Sequence, residues 1–220
     1  MAVRVARTTR KTKTRKTTAR RPVAKTRKRA PTALAHSKGW RALRSSSAML
    51  GGISRCTGLV VEPQLQTQWC WAAVSNSVSH YYDPGSPWTQ CAIVNAELGQ
   101  TTCCTAGATS ACNQPWYLDL ALTRVGNLQS AMGGKLSFSM LQSTTMSNRP
   151  PCARQGWAGG GGHFVAIVCC YQFRSLAMNT TTNSVGVSDP WYGDSIVDYA
   201  TFASGYMGTG TWTHSYLTQP

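Results

Sequence analysis

The distribution of charge most constrains what this 220-residue chain can fold into. Residues 1–48 hold 16 of its 22 Lys and Arg and none of its seven Asp and Glu. The tail therefore carries +16 and the remainder −1, which together give the net +15. Like charges repel and stay hydrated, and the tail has almost no large apolar residue before Trp40 and Leu43. It cannot bury enough apolar surface to offset the entropy of ordering it. The expectation is a disordered basic tail over 1–48 and one domain over 49–220, long enough to build a core unaided. No apolar run approaches the roughly 18 residues of a membrane span, so no transmembrane segment is expected. No internal repeat is visible.

Within 49–220 the segment Gln64-Leu65-Gln66-Thr67-Gln68-Trp69-Cys70-Trp71-Ala72-Ala73 carries the most chemistry. After Cys70 the apolar residues Trp71, Val74, Val78, Tyr81 and Tyr82 recur at helical spacing, which predicts a helix over 68–82 with Cys70 in its first turn. Unpaired N–H groups and the positive end of the helix dipole favour a thiolate there. Gln64 is spaced to aim its amide at a developing oxyanion, with the Cys70 N–H as second donor. Gln66 takes that role if the turn is tighter. Free cysteine is most often just a small buried hydrophobe, so this signal is weak alone.

A nucleophilic thiolate needs a general base. His36 lies in the basic tail and His80 on the helix behind Cys70, where a surface or core-edge role is expected. His163 follows four glycines and opens Phe164-Val165-Ala166-Ile167-Val168, a β-branched run that reads as a buried strand. A strand end holds an imidazole rigidly, and glycines let backbone approach closely. His214, in a late strand-like segment, is the alternative base. Asp189 ends a further strand just before Pro190 and is placed to fix the imidazole tautomer. Taken singly, a glycine run is more often a loop and Asp-Pro more often a turn opener. The four together carry the argument.

In this order, Gln, Cys-Trp-Ala-Ala, Gly-His-Phe and Asp-Pro-Trp resemble papain-like cysteine proteases. The resemblance is closest to the bacterial group that includes a plant-pathogen type III effector protease and relatives of the bacteriocin-leader peptidases. It covers about 60–217 and implies Cys70 as nucleophile, His163 as base, Asp189 as its orienting acceptor and Gln64 in the oxyanion hole. It also implies that Trp191 shields the acceptor–imidazole hydrogen bond. The chain departs from plant papains in Trp69 before the nucleophile and in Asp rather than Asn at the third position, as is common in the bacterial group.

Nine cysteines punctuate the chain: Cys56, Cys70, Cys91, Cys103, Cys104, Cys112, Cys152, Cys169 and Cys170. Setting Cys70 aside leaves enough partners for four disulfides in an oxidising compartment. Staples within 91–112 would fix a helix-like segment and a Thr/Gly-rich loop beside the nucleophile, and the bacterial relatives often carry a similar Cys-Cys pair followed by Cys-Asn. No spacing gives paired CxxC knuckles and no histidine lies near, so zinc is disfavoured and no metal or cofactor is expected. Cys169 and Cys170 lie on one strand, one side chain to each face, with at least one a buried thiol.

Helices are also expected over 89–98, closed by Gly99, and over 115–125, closed by Gly126. Strands are expected over 135–140, 151–157, 163–173, 185–188 and 209–217. Helices followed by strands indicate α+β, here a papain-like fold in which a helical subdomain bearing the nucleophile packs on an antiparallel sheet bearing His and Asp.

The function so implied is hydrolysis of peptide bonds by a monomer acting on a protein or peptide substrate. The alternatives are an amide-forming transferase or isopeptidase with the same triad, or a catalytically silent basic protein that binds nucleic acid. The tail attracts nucleic acid or an anionic membrane through counterion release, although no aromatic interleaving offers base stacking. A removable pro- or targeting segment fits the same composition. No apolar h-region supports a Sec signal, and Arg20-Arg21 resembles a twin-arginine pair only superficially. The surplus cysteines favour a secreted protein exported by another route, with the cytoplasm as alternative.

Overall fold

The computed structural model describes residues 53–175 and 179–220; the expected tail over 1–48 and its boundary lie outside them. The order is β1 (Ile53–Cys56), α1 (Cys70–Tyr82), α2 (Gln90–Leu98), α3 (Cys103–Ala106), α4 (Leu118–Arg124), β2 (Leu128–Gly133), α5 (Phe138–Met146), β3 (Cys152–Trp157), β4 (Gly162–Ser175), β5 (Thr180–Ser188), β6 (Ser195–Asp198), α6 (Tyr199–Ser204) and β7 (Gly210–Thr218). The strands form one antiparallel sheet ordered β2-β7-β3-β4-β5-β6, with β1 also paired to β4. The fold is α+β.

Helix α1 is central, and every residue from Cys70 to Ser79 is buried. Its serines are tolerated because they bond back to the helix: Ser75 Oγ donates to Trp71 O at 2.8 Å and Ser77 Oγ to Ala73 O at 2.8 Å. Helix α2 begins at the Thr89 cap, whose Oγ1 accepts from Ala92 N at 3.2 Å, and stops at Gly99, which has φ 62°.

Strand β4 divides the core in two. Phe164, Ala166 and Val168 face the helical layer with Trp71, Val74, Val78, Leu118 and Leu122. Val165 and Ile167 face the opposite layer with Val185, Val187, Phe202, Tyr206 and Trp212. A register shift between Ile167 and Cys169 turns Cys169 to the helical layer and leaves Cys170 on the other, the division expected for that pair.

Three disulfides form, where the count allowed four: Cys56–Cys169, Cys91–Cys104 and Cys103–Cys112. Cys70, Cys152 and Cys170 are buried free thiols. Cys152 and Cys170 lie in opposite core layers, on either side of the sheet, so they cannot meet.

The expected strand over 135–140 is instead the approach to α5. Leu136 and Phe138 are buried and mimic a period of two, but Phe138, Leu141 and Thr145 form the buried side of the helix. The Ser137 cap, accepting from Met140 N at 3.2 Å, starts it. Strand β2 carried no sequence signal, because as an edge strand it is mostly exposed and lacks apolar alternation. Among the described residues no helix is long and apolar enough to cross a membrane.

Candidate active site

Cys70 is the first residue of α1, so its N–H is among those a helix leaves without an internal acceptor. The position is fixed by its neighbours. Trp69 Nε1 donates to Cys112 O at 2.8 Å and Trp71 Nε1 to Gln114 O at 3.0 Å. Gln68 N donates to Asn113 Oδ1 at 2.9 Å, and Asn113 Nδ2 to Thr67 Oγ1 at 2.8 Å. The loop over 112–114 thus grips both indoles that flank the cysteine, and the Cys103–Cys112 disulfide anchors that loop. The packing is tight enough that a Cβ on Gly107 would meet the Trp69 ring at 2.9 Å.

His163 enters at the start of β4. Gly160 and Gly161 have φ of 89° and 79°, which the turn into the strand requires. At Gly162 an added Cβ would lie 2.7 Å from the Arg154 guanidinium carbon, so the glycine admits the arginine against the backbone. The imidazole is buried, with the Trp157 ring stacked at 6.1 Å and the Tyr192 ring edge-on at 6.0 Å. These two rings flank it. Trp191, which the resemblance casts as a shield of the acceptor–imidazole bond, also supplies a backbone N–H to Asp189 Oδ1 at 2.7 Å.

Asp189 follows the last residue of β5 and is fully buried. Its Oδ1 accepts from His163 Nε2 at 2.8 Å, from Trp191 N at 2.7 Å and from Tyr192 N at 2.9 Å. Its Oδ2 accepts from Tyr206 Oη at 2.8 Å. Burial pushes the carboxyl up, but the imidazole's charge and hydrogen bond and the two backbone N–H groups outweigh it and hold the group below the ordinary carboxylate range. For His163 burial works against protonation, while Asp189 and a hydrogen bond to Cys70 prevail and raise the imidazole above its usual value. With Nε2 given to Asp189, the other ring nitrogen, Nδ1, is the one left to the Cys70 thiol. The structure therefore brings Cys70, His163 and Asp189 together.

Gln64 is buried beside them and held from two sides. Its N–H donates to Pro190 O at 3.0 Å, and its Nε2 to Gln66 O at 2.7 Å. An amide nitrogen has a second N–H, which meets no acceptor among the described residues. Gln90 braces the same segment, donating to Glu62 Oε1 and Pro63 O and accepting from Leu65 N, each at 2.9 Å. Gln66, the alternative, has its amide nitrogen beside Gly107, 3.2 Å from where a Cβ there would lie.

His214 is not part of this cluster. It is exposed on β7, with Nδ1 3.0 Å from Thr213 Oγ1, and it lies on the wall of a cavity of about 690 Å³. Gly161, Gly162, Phe164, Trp116 and Tyr216 line the same cavity, which opens directly before His163 in the chain. His80 Nε2 is 2.9 Å from Trp88 O, a structural contact behind the nucleophile helix. His36 lies outside the described residues.

Reading the sequence missed Tyr206, Trp157 and Tyr192. Tyr192 stands in the Asp-Pro-Trp-Tyr turn, so its neighbourhood was signalled; Trp157 and Tyr206 reach the site only through the sheet and through α6. No family model and no curated protein matches this chain.

Proposed function

We propose that the protein is a papain-like cysteine peptidase in which Cys70, His163 and Asp189 form the catalytic triad. The observation that carries this reading is the convergence of a thiol at a helix start with an imidazole already bonded through Nε2 to a buried carboxylate. A free thiol in a merely structural role needs no such partner.

In the forward reaction the Cys70 sulfur forms a bond to the substrate carbonyl carbon while the carbonyl π pair moves to oxygen. The oxyanion is met by the Cys70 N–H and the second N–H of Gln64. Collapse of the tetrahedral adduct breaks the C–N bond, and imidazolium His163 delivers its Nδ1 proton to the leaving amine. Water then attacks the thioester, giving its proton to Nδ1, and the carboxylic acid leaves as the Cys70 sulfur recovers its electron pair. Asp189 stays ionised throughout, holding Nε2–H so that Nδ1 faces the sulfur. The cavity beside Gly161 and Gly162 offers room for a substrate side chain next to the reacting bond.

The test is to trap the acyl-enzyme. Full-length protein incubated with a mixed peptide library and quenched in acid should carry peptide acyl groups on Cys70, seen by intact and tryptic mass spectrometry. Acylation at another residue, or none while peptides are consumed, overturns the assignment.

A further inference from the structure

Asp189 Oδ1 accepts from His163 Nε2, Trp191 N and Tyr192 N, and Oδ2 accepts from Tyr206 Oη. The carboxylate is fully buried. The terminal torsion of an aspartate is soft, and a group bonded at one oxygen alone can rotate about it. A donor at each oxygen fixes the plane.

Tyr206 is itself held rigidly. It sits between α6 and β7, exchanges backbone hydrogen bonds with Gly210 at 3.1 and 2.8 Å, and packs edge-on against Phe202 at 5.2 Å. A Cβ on Gly210 would meet Tyr206 O at 2.7 Å and the Trp157 ring at 2.9 Å, so the tyrosine and the tryptophan that stacks on His163 are packed around one glycine. Burial and the neighbouring Asp189 charge both push the phenol up, so it keeps its proton and remains a donor at any pH at which the protein works.

We propose that Tyr206 is a positioning residue of the triad: its hydroxyl locks the Asp189 carboxylate plane and shares its charge, setting the direction and the strength of the bond to His163. The inference rests on the Cys70–His163–Asp189 reading above. Removing the hydroxyl takes a donor from the buried Oδ2, so more of the Asp189 charge falls on the imidazolium. His163 then holds its proton more tightly and yields it less readily to the leaving amine. Among the described residues, Cys70 from α1, Tyr192 from the turn after β5 and Tyr206 itself are titratable groups that face the His163–Asp189 pair.

The variant is Tyr206→Phe, which keeps the ring against Phe202 and deletes only the hydroxyl. Two readouts are taken on the full chain. In a Cys70→Ala background, NMR titration of the His163 imidazole should show its midpoint rising by more than about 0.5 pH unit on adding Tyr206→Phe. With Cys70 intact, kcat should fall about tenfold while KM stays within about twofold. An unchanged midpoint in a folded Tyr206→Phe protein overturns the proposal, even if its melting temperature falls. Absence of any peptidase activity in the wild type defeats the peptidase reading alone, because the His163 midpoint still decides the role of Tyr206. If Tyr206→Phe does not fold, the wild-type Tyr206 hydroxyl proton decides: a low-field, slowly exchanging resonance supports the bond to Asp189, and exchange at solvent rates overturns it.

Discussion

The backbone N–H of Gln64 donates to the carbonyl of Pro190 at 3.0 Å, which stitches the segment leading into the nucleophile helix to the turn that carries Asp189. The Gln64 amide, the proposed oxyanion donor, is held by the Gln66 carbonyl, while the Gln66 amide lies beside Gly107. Loss of one oxyanion donor costs about 10²–10³ in rate, so Gln64→Ala should lower kcat by that factor with little change in KM. Gln66→Ala should stay within about threefold of wild type, since its backbone carbonyl, the acceptor for Gln64, is retained. Steady-state kinetics on one peptide compares the two.

The two candidate bases separate in the same way. His163→Ala removes the imidazole that bonds Asp189 and is coupled to Cys70, and should lower kcat by at least about 10²–10⁴. The His214 imidazole is exposed, lies 3.0 Å from Thr213 Oγ1 and lines the cavity, so His214→Ala should leave kcat within about threefold and act on KM. The opposite pattern would move the cleft to β7.

The free thiols differ in reactivity. Burial pushes Cys152 up to about 12 and Cys170 up to about 11, the latter partly opposed by the Thr145 hydroxyl. Native protein treated with iodoacetamide at neutral pH should be labelled at Cys70, with Cys152 and Cys170 reacting only after denaturation. Non-reducing peptide maps of the same sample should show Cys56–Cys169, Cys91–Cys104 and Cys103–Cys112.

The Cys103–Cys112 bond anchors the loop that holds the Trp69 and Trp71 indoles. Replacing both cysteines by serine should lower the melting temperature and reduce kcat several-fold by loosening Cys70. Replacing the Cys91–Cys104 pair, which does not anchor the 112–114 loop, should lower the melting temperature with a smaller effect on kcat. Thermal melts and single-turnover rates on both double variants measure the difference.

The buried ion pair makes stability depend on pH with a fixed sign. His163 is raised from 6.5 to about 10, so its contribution is complete below pH 6.5 and is lost as pH rises through that window. Asp189 is lowered from 3.8, so its contribution is present above that value and is lost as pH falls through the folded value. The difference in urea midpoint between wild type and His163→Ala should therefore shrink steadily from pH 6.5 upward. A gap that widens with pH contradicts the pairing.

Much of this arrangement was legible in the sequence for physical reasons. Apolar residues at helical spacing after Cys70, and a cap and a left-handed glycine around 90–98, specify those helices locally. The β-branched run after His163 reads as a strand because it is buried on both faces. What escaped depends on tertiary context. Leu136 and Phe138 alternate like a strand although a serine cap commits the following residues to a helix. Tyr206 lies 17 residues beyond Asp189, and only the packing of α6 and β7 brings its hydroxyl to the carboxylate. Disulfide pairing, too, is set by which strands and loops meet, and Cys152 and Cys170 stay reduced because the sheet separates them.

The most direct test is cleavage of a defined peptide library by the full-length protein beside its Cys70→Ala variant, with new termini identified by mass spectrometry. The triad requires time-dependent cleavage by the wild type and none above background by the variant, whose fold should match by circular dichroism. Equal cleavage by a folded Cys70→Ala protein would contradict the assignment of Cys70 as the nucleophile.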